Sequence, residues 1–202
     1  MGTHTEFTGA IQIKPQIQEP LASKLAEWLQ LRHMRRDVSA LEKLYPTEAD
    51  RKAHTLFNDG NFGEEGEFYI PDITKDLDLR AFNDDNLPEG LTSIREINHS
   101  PKNCPNLYSD LALVHSEDGS CSYLGWNGAE KAYNIPEWLE LLAGYLIPRG
   151  YHMNGDMFAV VEYGREFYSL EMSDGEVFVE EFIPDTTHET EFQKLFNEQW
   201  RN

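Results

Sequence analysis

Residues 107–146 read LYSDLALVHSEDGSCSYLGWNGAEKAYNIPEWLELLAGYL, and this stretch decides the fold. Two apolar runs, Leu107–His115 and Cys121–Trp126, flank Glu117-Asp118-Gly119-Ser120. Asp-Gly between such runs is a strong hairpin signal, because Gly accepts the positive φ that a tight turn needs. Asn127-Gly128 turns the chain out of the second strand. Asn134 then stands three residues before Glu137, the spacing of a capping box, and Pro136 falls in the first turn, where its missing N–H does no harm. Trp138, Leu139, Leu142, Tyr145 and Leu146 supply an apolar stripe at helical spacing, and Pro148-Arg149-Gly150 stops the helix. A hairpin feeding an amphipathic helix predicts a sheet with helices on one face.

Toward the C-terminus, strands are expected at 157–162, 167–172 and 177–183, separated by Tyr163-Gly164-Arg165-Glu166 and Ser173-Asp174-Gly175-Glu176. Such short turns suit an antiparallel meander. Within 187–202, Phe192, Leu195, Phe196 and Trp200 predict a C-terminal helix with one apolar side. Toward the N-terminus, Phe7, Gly9, Ile11 and Ile13 alternate with polar residues until Pro15, the pattern of a half-buried strand. Leu21, Leu25, Trp28 and Leu29 then predict a helix that runs to about Arg36. Its last turn, Arg32-His33-Met34-Arg35-Arg36, would place cations where the helix dipole favours them. Shorter helices are expected over 38–45 and from Thr47. Residues 55–106 mix Asn, Gly, Pro and acids in a way that breaks any period, which predicts an irregular acidic insertion with short strands at Glu67–Ile70 and Ser93–Ile97. The expected architecture is a single α+β domain over 1–202, a two-layer sandwich with a mainly antiparallel sheet.

The charge is lopsided. Residues 1–54 carry 8 Lys/Arg against 7 Asp/Glu, whereas residues 55–202 carry 9 against 29, so nearly all of the net −19 lies in the later part. Eleven Phe, nine Tyr and four Trp are spread along the whole chain, which excludes a disordered acidic tail. A polyanion repels this surface, so direct nucleic-acid binding is disfavoured, and a cationic partner such as a basic host protein is the expected counterpart. Glu64, Glu65, Glu67, Asp76, Asp78, Asp84 and Asp85 of the insertion are the candidate partner-binding residues.

Chemistry-bearing motifs are sparse. The seven histidines show no H-x-x-x-H spacing, Cys104 and Cys121 belong to no C-x-x-C, and the phosphate-loop, dinucleotide and nucleophile-elbow motifs are missing. No catalytic residue, metal ligand or cofactor is assigned, and the reading points away from an enzyme. One alternative is a small-ligand or nucleotide-binding or nucleotide-processing protein, with an aromatic wall at Trp126 and Tyr133, Glu130 and Lys131 at its rim, and the guanidinium forks of Arg32, Arg35 and Arg36 nearby. Another is a virion or assembly component. The N-terminal residues MGTHTEFTGAIQIKP lack the pattern of a signal peptide and no run is long enough to span a bilayer, so a cytoplasmic protein without membrane contact is expected.

Two stretches carry a resemblance. Phe7, Gly9, Ile11, Ile13 and Pro15, followed by Arg32-His33-Met34-Arg35-Arg36-Asp37, are the first. Trp126-Asn127-Gly128-Ala129-Glu130-Lys131-Ala132-Tyr133-Asn134, then Trp138-Leu139 and Pro148, Gly150, Tyr151, Asn154 and Gly155, are the second. Together they cover about two fifths of the chain, and they resemble small uncharacterised proteins of bacteriophages and actinobacteria that show W-[DN]-G-x-E-K-x-Y before a helix containing E-W. The resemblance implies a fold shared with phage-associated proteins. It implies no activity and transfers no catalytic residue, and the acidic middle and the extended C-terminus depart from the shorter relatives.

Overall fold

A computed structural model describes residues 5–71, 82–161 and 166–182. The elements, in order, are β1 (Thr5–Lys14), α1 (Leu21–Leu29), α2 (Val38–Leu44), α3 (Glu48–Ala53), β2 (Leu111–His115), β3 (Ser122–Trp126), α4 (Ile135–Leu146), β4 (His152–Val161), β5 (Glu166–Ser173) and β6 (Glu176–Phe182). The six strands form one sheet in the order β2-β3-β1-β4-β5-β6, every neighbouring pair antiparallel. The molecule is α+β, as the hairpin and the meander require.

Alternation puts Ile11, Ile13, Leu124, Met153, Met157, Leu170 and Met172 on one face of the sheet. Leu25, Trp28 and Leu29 of α1 and Trp138, Leu139, Leu142 and Leu146 of α4 close over them, giving one continuous core. At roughly 2 kcal/mol for each fully buried large apolar side chain, this layer is the main favourable term in folding. β4 begins five residues earlier than the expected 157, because Gly155 sits inside the strand and not at a turn. A Cβ on Gly155 would come within 2.6 Å of the carbonyl oxygen of Ala10, so only glycine lets the two backbones approach.

The helix expected to reach Arg36 stops at Leu29. Beyond it, the backbone N–H groups are claimed by distant segments: His33 donates to Leu107, Arg35 to His99, Arg36 to Glu65 and Asp37 to Gly90. The basic run is therefore an irregular spine that ties four segments together, and its cations do not sit on a helix end. The two short helices match their expectations, with Asp37 capping α2 through Ala40 N–H and Thr47 capping α3 through Asp50 N–H. Asn134 does not cap α4 through its side chain. It takes the left-handed conformation, φ 59°, and its carbonyl accepts the Trp138 N–H.

The described residues of 55–106 are far from a solvated loop. Leu56, Phe57, Phe68, Ile70 and Cys104 join the main core, while Met34, Leu91 and Ile97, and separately Leu41, Phe62 and Tyr69, form satellite clusters. The expected strand at Glu67–Ile70 is reduced to one bridge, Thr55 with Tyr69, and Ser93–Ile97 lies at a 3-10 turn over Ile94–Asn98. The expected C-terminal helix within 187–202 lies outside the described residues.

Candidate functional site

The described insertion carboxylates differ in their surroundings. Glu67 is only 4% exposed, with its carboxylate accepting from Glu65 N–H and Asn103 Nδ2. That burial removes it from any partner-binding face. Glu65 pairs with Arg35 at 3.2 Å and accepts from Lys102 N–H at 2.6 Å. Glu64 faces Lys102 at 3.8 Å, and Asp84 accepts from Ile94 N–H at 2.9 Å. Asp85 is exposed, and Asp76 and Asp78 lie outside the described residues. Three of the five described acids, Glu65, Glu67 and Asp84, thus tie parts of the insertion together, while Glu64 and Asp85 stay exposed.

The arginines diverge in the same way. Arg32 donates to the Ile97 carbonyl, the Asn98 side chain and the Tyr108 hydroxyl, and its guanidinium lies over the Tyr108 ring. Arg35 pairs with Glu65. Arg36 is buried, lies over the Tyr69 ring and donates to the Glu89 carbonyl, and burial lowers its pKa. Tyr69 and Tyr45 both donate to the Glu89 carboxylate, and burial raises the Tyr69 pKa. These cations serve architecture and do not converge on an anion site.

Trp126 and Tyr133 do not form one wall. Trp126 faces a cleft of about 510 Å³ lined by Phe7, Thr8, Gly9, Gly125, Asn127 and Gly128. Glu130, Lys131 and Tyr133 are exposed outside that lining. A second cavity, about 20 Å³, adjoins His33, Arg36 and Glu67 and has room for about one water molecule. The His33 ring is packed against the Trp28 and Trp138 rings at 4.4 and 4.8 Å, and burial pushes its pKa down to about 3.

The sheet's other face carries a different pattern. Register places Asp156 opposite Glu171 and Glu171 opposite Phe178, forming one row across β4, β5 and β6. The next row runs Phe158, Ser169 and Glu180. Asp156, Glu171 and Glu180 are exposed, Phe178 is 50% exposed and Phe158 37% exposed. The three strands contain no Lys or Arg. Like charges directly opposite each other on a sheet are destabilising, so this row stores repulsion in exchange for a concentrated field. The sequence signal for this face was the set of polar positions in three alternating strands, Asp156, Glu171 and Glu180, read together once their register is known.

No family model, curated protein or solved structure matches the chain. No helix among the described residues is long and apolar enough to cross a membrane.

Proposed function

We propose that the chain is a non-enzymatic acidic binding protein that occupies a basic, nucleic-acid-binding surface of a host protein, as a phage-encoded inhibitor or mimic would. The observation that carries this reading is the Asp156, Glu171 and Glu180 face, with exposed Phe178 and Phe158 among the carboxylates and no cation on its three strands. A dense negative field speeds encounter with a cationic groove, and aromatic side chains supply the apolar area that makes a complex persist. The reading thus adds the exposed acids of β4–β6 to those of the insertion, where Glu65, Glu67 and Asp84 are engaged by neighbouring groups.

Competition for a fluorescent oligonucleotide held by a poly-arginine peptide tests it. The chain displaces the oligonucleotide at low salt and loses the ability at high salt, because exposed charges are screened within about 10 Å at 0.1 M. Asp156→Asn, Glu171→Gln and Glu180→Gln combined weaken displacement at least tenfold, whereas Asp85→Asn leaves it unchanged. Equal displacement by the triply neutralised chain would overturn the reading.

A further inference from the structure

Among the described residues β6 ends the sheet, and its turn fixes which way its main chain points. Asp174 and Gly175, φ 50° and 88°, form a two-residue turn with both central residues left-handed. Such a turn closes on a hydrogen-bonded pair, here Ser173 with Glu176. Alternation along the antiparallel ladder then turns the N–H and C=O of Glu176, Phe178 and Glu180 toward β5, and those of Val177, Val179 and Glu181 away from it. Among the described residues, no hydrogen bond is made to the outward groups of these three.

The sheet's other end is different. Asn127 N–H to the Asp110 carbonyl and Ser116 N–H to the Cys121 carbonyl bracket the β2–β3 ladder, so the same alternation points Leu111 outward. Its carbonyl accepts from Gln30 Nε2 at 3.2 Å and its N–H donates to Ser109 Oγ at 3.3 Å. The chain's own side chains close that edge at its start.

Side chains along β6 define what can add to it. Val177 packs on the core, whereas Val179, two residues on and on the same face, is 48% exposed. On the other face Phe178 is 50% exposed between the exposed Glu176 and Glu180, and Glu181 is exposed as well. The strand carries no Lys or Arg. A second copy paired antiparallel about Val179 would set Phe178 beside the copy's Glu180 and double the negative charge along the seam, which disfavours self-association. A cationic strand reverses that sign.

We infer that the β6 edge takes an extended cationic segment of a partner as a seventh strand, with apolar side chains beside Phe178 and Val179 and Lys or Arg beside Glu176, Glu180 and Glu181. This rests on the acidic-face reading and specifies how the partner engages it. Main-chain hydrogen bonds to Val177, Val179 and Glu181 supply the grip, and the carboxylates select the sign of the charge.

The peptide acetyl-Thr-Lys-Lys-Val-Tyr-Val-Lys-amide, laid antiparallel to β6, sets its second, fourth and sixth residues opposite Glu181, Val179 and Val177, with their N–H groups facing the edge. Titration into the ¹⁵N-labelled full chain, with hydrogen exchange read amide by amide, follows its binding. The peptide slows exchange at Val177, Val179 and Glu181. N-methylation of its second, fourth and sixth residues weakens binding on the order of tenfold. N-methylation of the third and fifth, whose N–H groups point away, leaves binding unchanged. Equal binding by the two methylated peptides overturns the inference and leaves the acidic-face reading standing, because charge alone would then hold the peptide. Replacing the peptide's lysines with glutamine weakens binding, and an unchanged affinity overturns that reading and the inference together. Slow exchange at the three amides in the free chain also overturns the inference, since the edge would already be occupied; protection that rises with protein concentration identifies a second copy as the occupant. Absence of binding by the unmethylated peptide overturns it too, with the oligonucleotide displacement deciding whether the charge reading falls as well.

Discussion

The indole N–H of Trp28 donates to the main-chain carbonyl of Glu67 at 2.7 Å, and this bond fastens α1 to the segment 55–106. Trp28 also meets Trp138 of α4 edge-on at 5.6 Å, so one side chain joins both helices of the core layer to the insertion.

Replacement Trp28→Phe leaves the Glu67 carbonyl unsatisfied and a void beside Trp138, with an expected loss of about 2–4 kcal/mol of unfolding free energy. Urea denaturation measures it. A loss within experimental error of zero would show that the insertion is held elsewhere.

His33 is neutral when folded because burial depresses its pKa from 6.5 to about 3. The unfolded chain takes up this proton as pH falls below 6.5, so the fold loses stability between that pH and about 3. At pH 4 the cost is about 3 kcal/mol at 1.36 kcal/mol per unit. Comparing unfolding of the native chain and His33→Gln at pH 7 and pH 4 isolates this contribution, since the glutamine variant lacks it. Parallel losses in both proteins would remove His33 from the account.

Two glycines with the same backbone hand separate conformational strain from crowding. Gly128, φ +86°, has open space where a Cβ would go, so Gly128→Ala costs about 1–2 kcal/mol for the left-handed conformation alone. Gly9→Ala adds overlap with the Asp156 carbonyl and costs clearly more, with the β1–β4 amides losing hydrogen-exchange protection first. Thermal denaturation ranks the two, and equal costs would mean that the approach of β1 to β4 is not fixed at Gly9.

Asn134 tests conformation against capping. If its left-handed backbone matters and its side chain does not, Asn134→Gly is neutral or stabilising by up to about 1 kcal/mol. Serine, an equally good N-cap, then costs about 1 kcal/mol because it resists positive φ. Stability of the serine variant equal to that of the native chain would restore the capping role.

The strands and helices were legible because their signals are local. The Asp118-Gly119 turn, the alternation through 167–172 and the stripe Trp138, Leu139, Leu142 and Leu146 report on neighbours one to four residues away, and all three stand in the structure. The end of α1 was not legible, since Arg32–Asp37 remain compatible with a helix until distant carbonyls take their N–H groups. Glu67 and Arg36 read as surface charges for a similar reason, because nothing near them in the chain announces burial. The cleft left a faint trace in Gly9 and Gly155, glycines within strands, but its neutral lining joins residues more than a hundred positions apart.

The chain's own order of residues determined the α+β class, the meander, the secure helix and the excess of negative charge, since periodicity and composition act at short range or over the whole molecule. Tertiary structure alone decided which charges are spent inside and which face outward. Arg32 bonds to a carbonyl 65 positions away and Arg36 to one 53 positions away. Competition among distant donors and acceptors is settled only when the chain closes on itself, and that competition left the acids of β4–β6 outside.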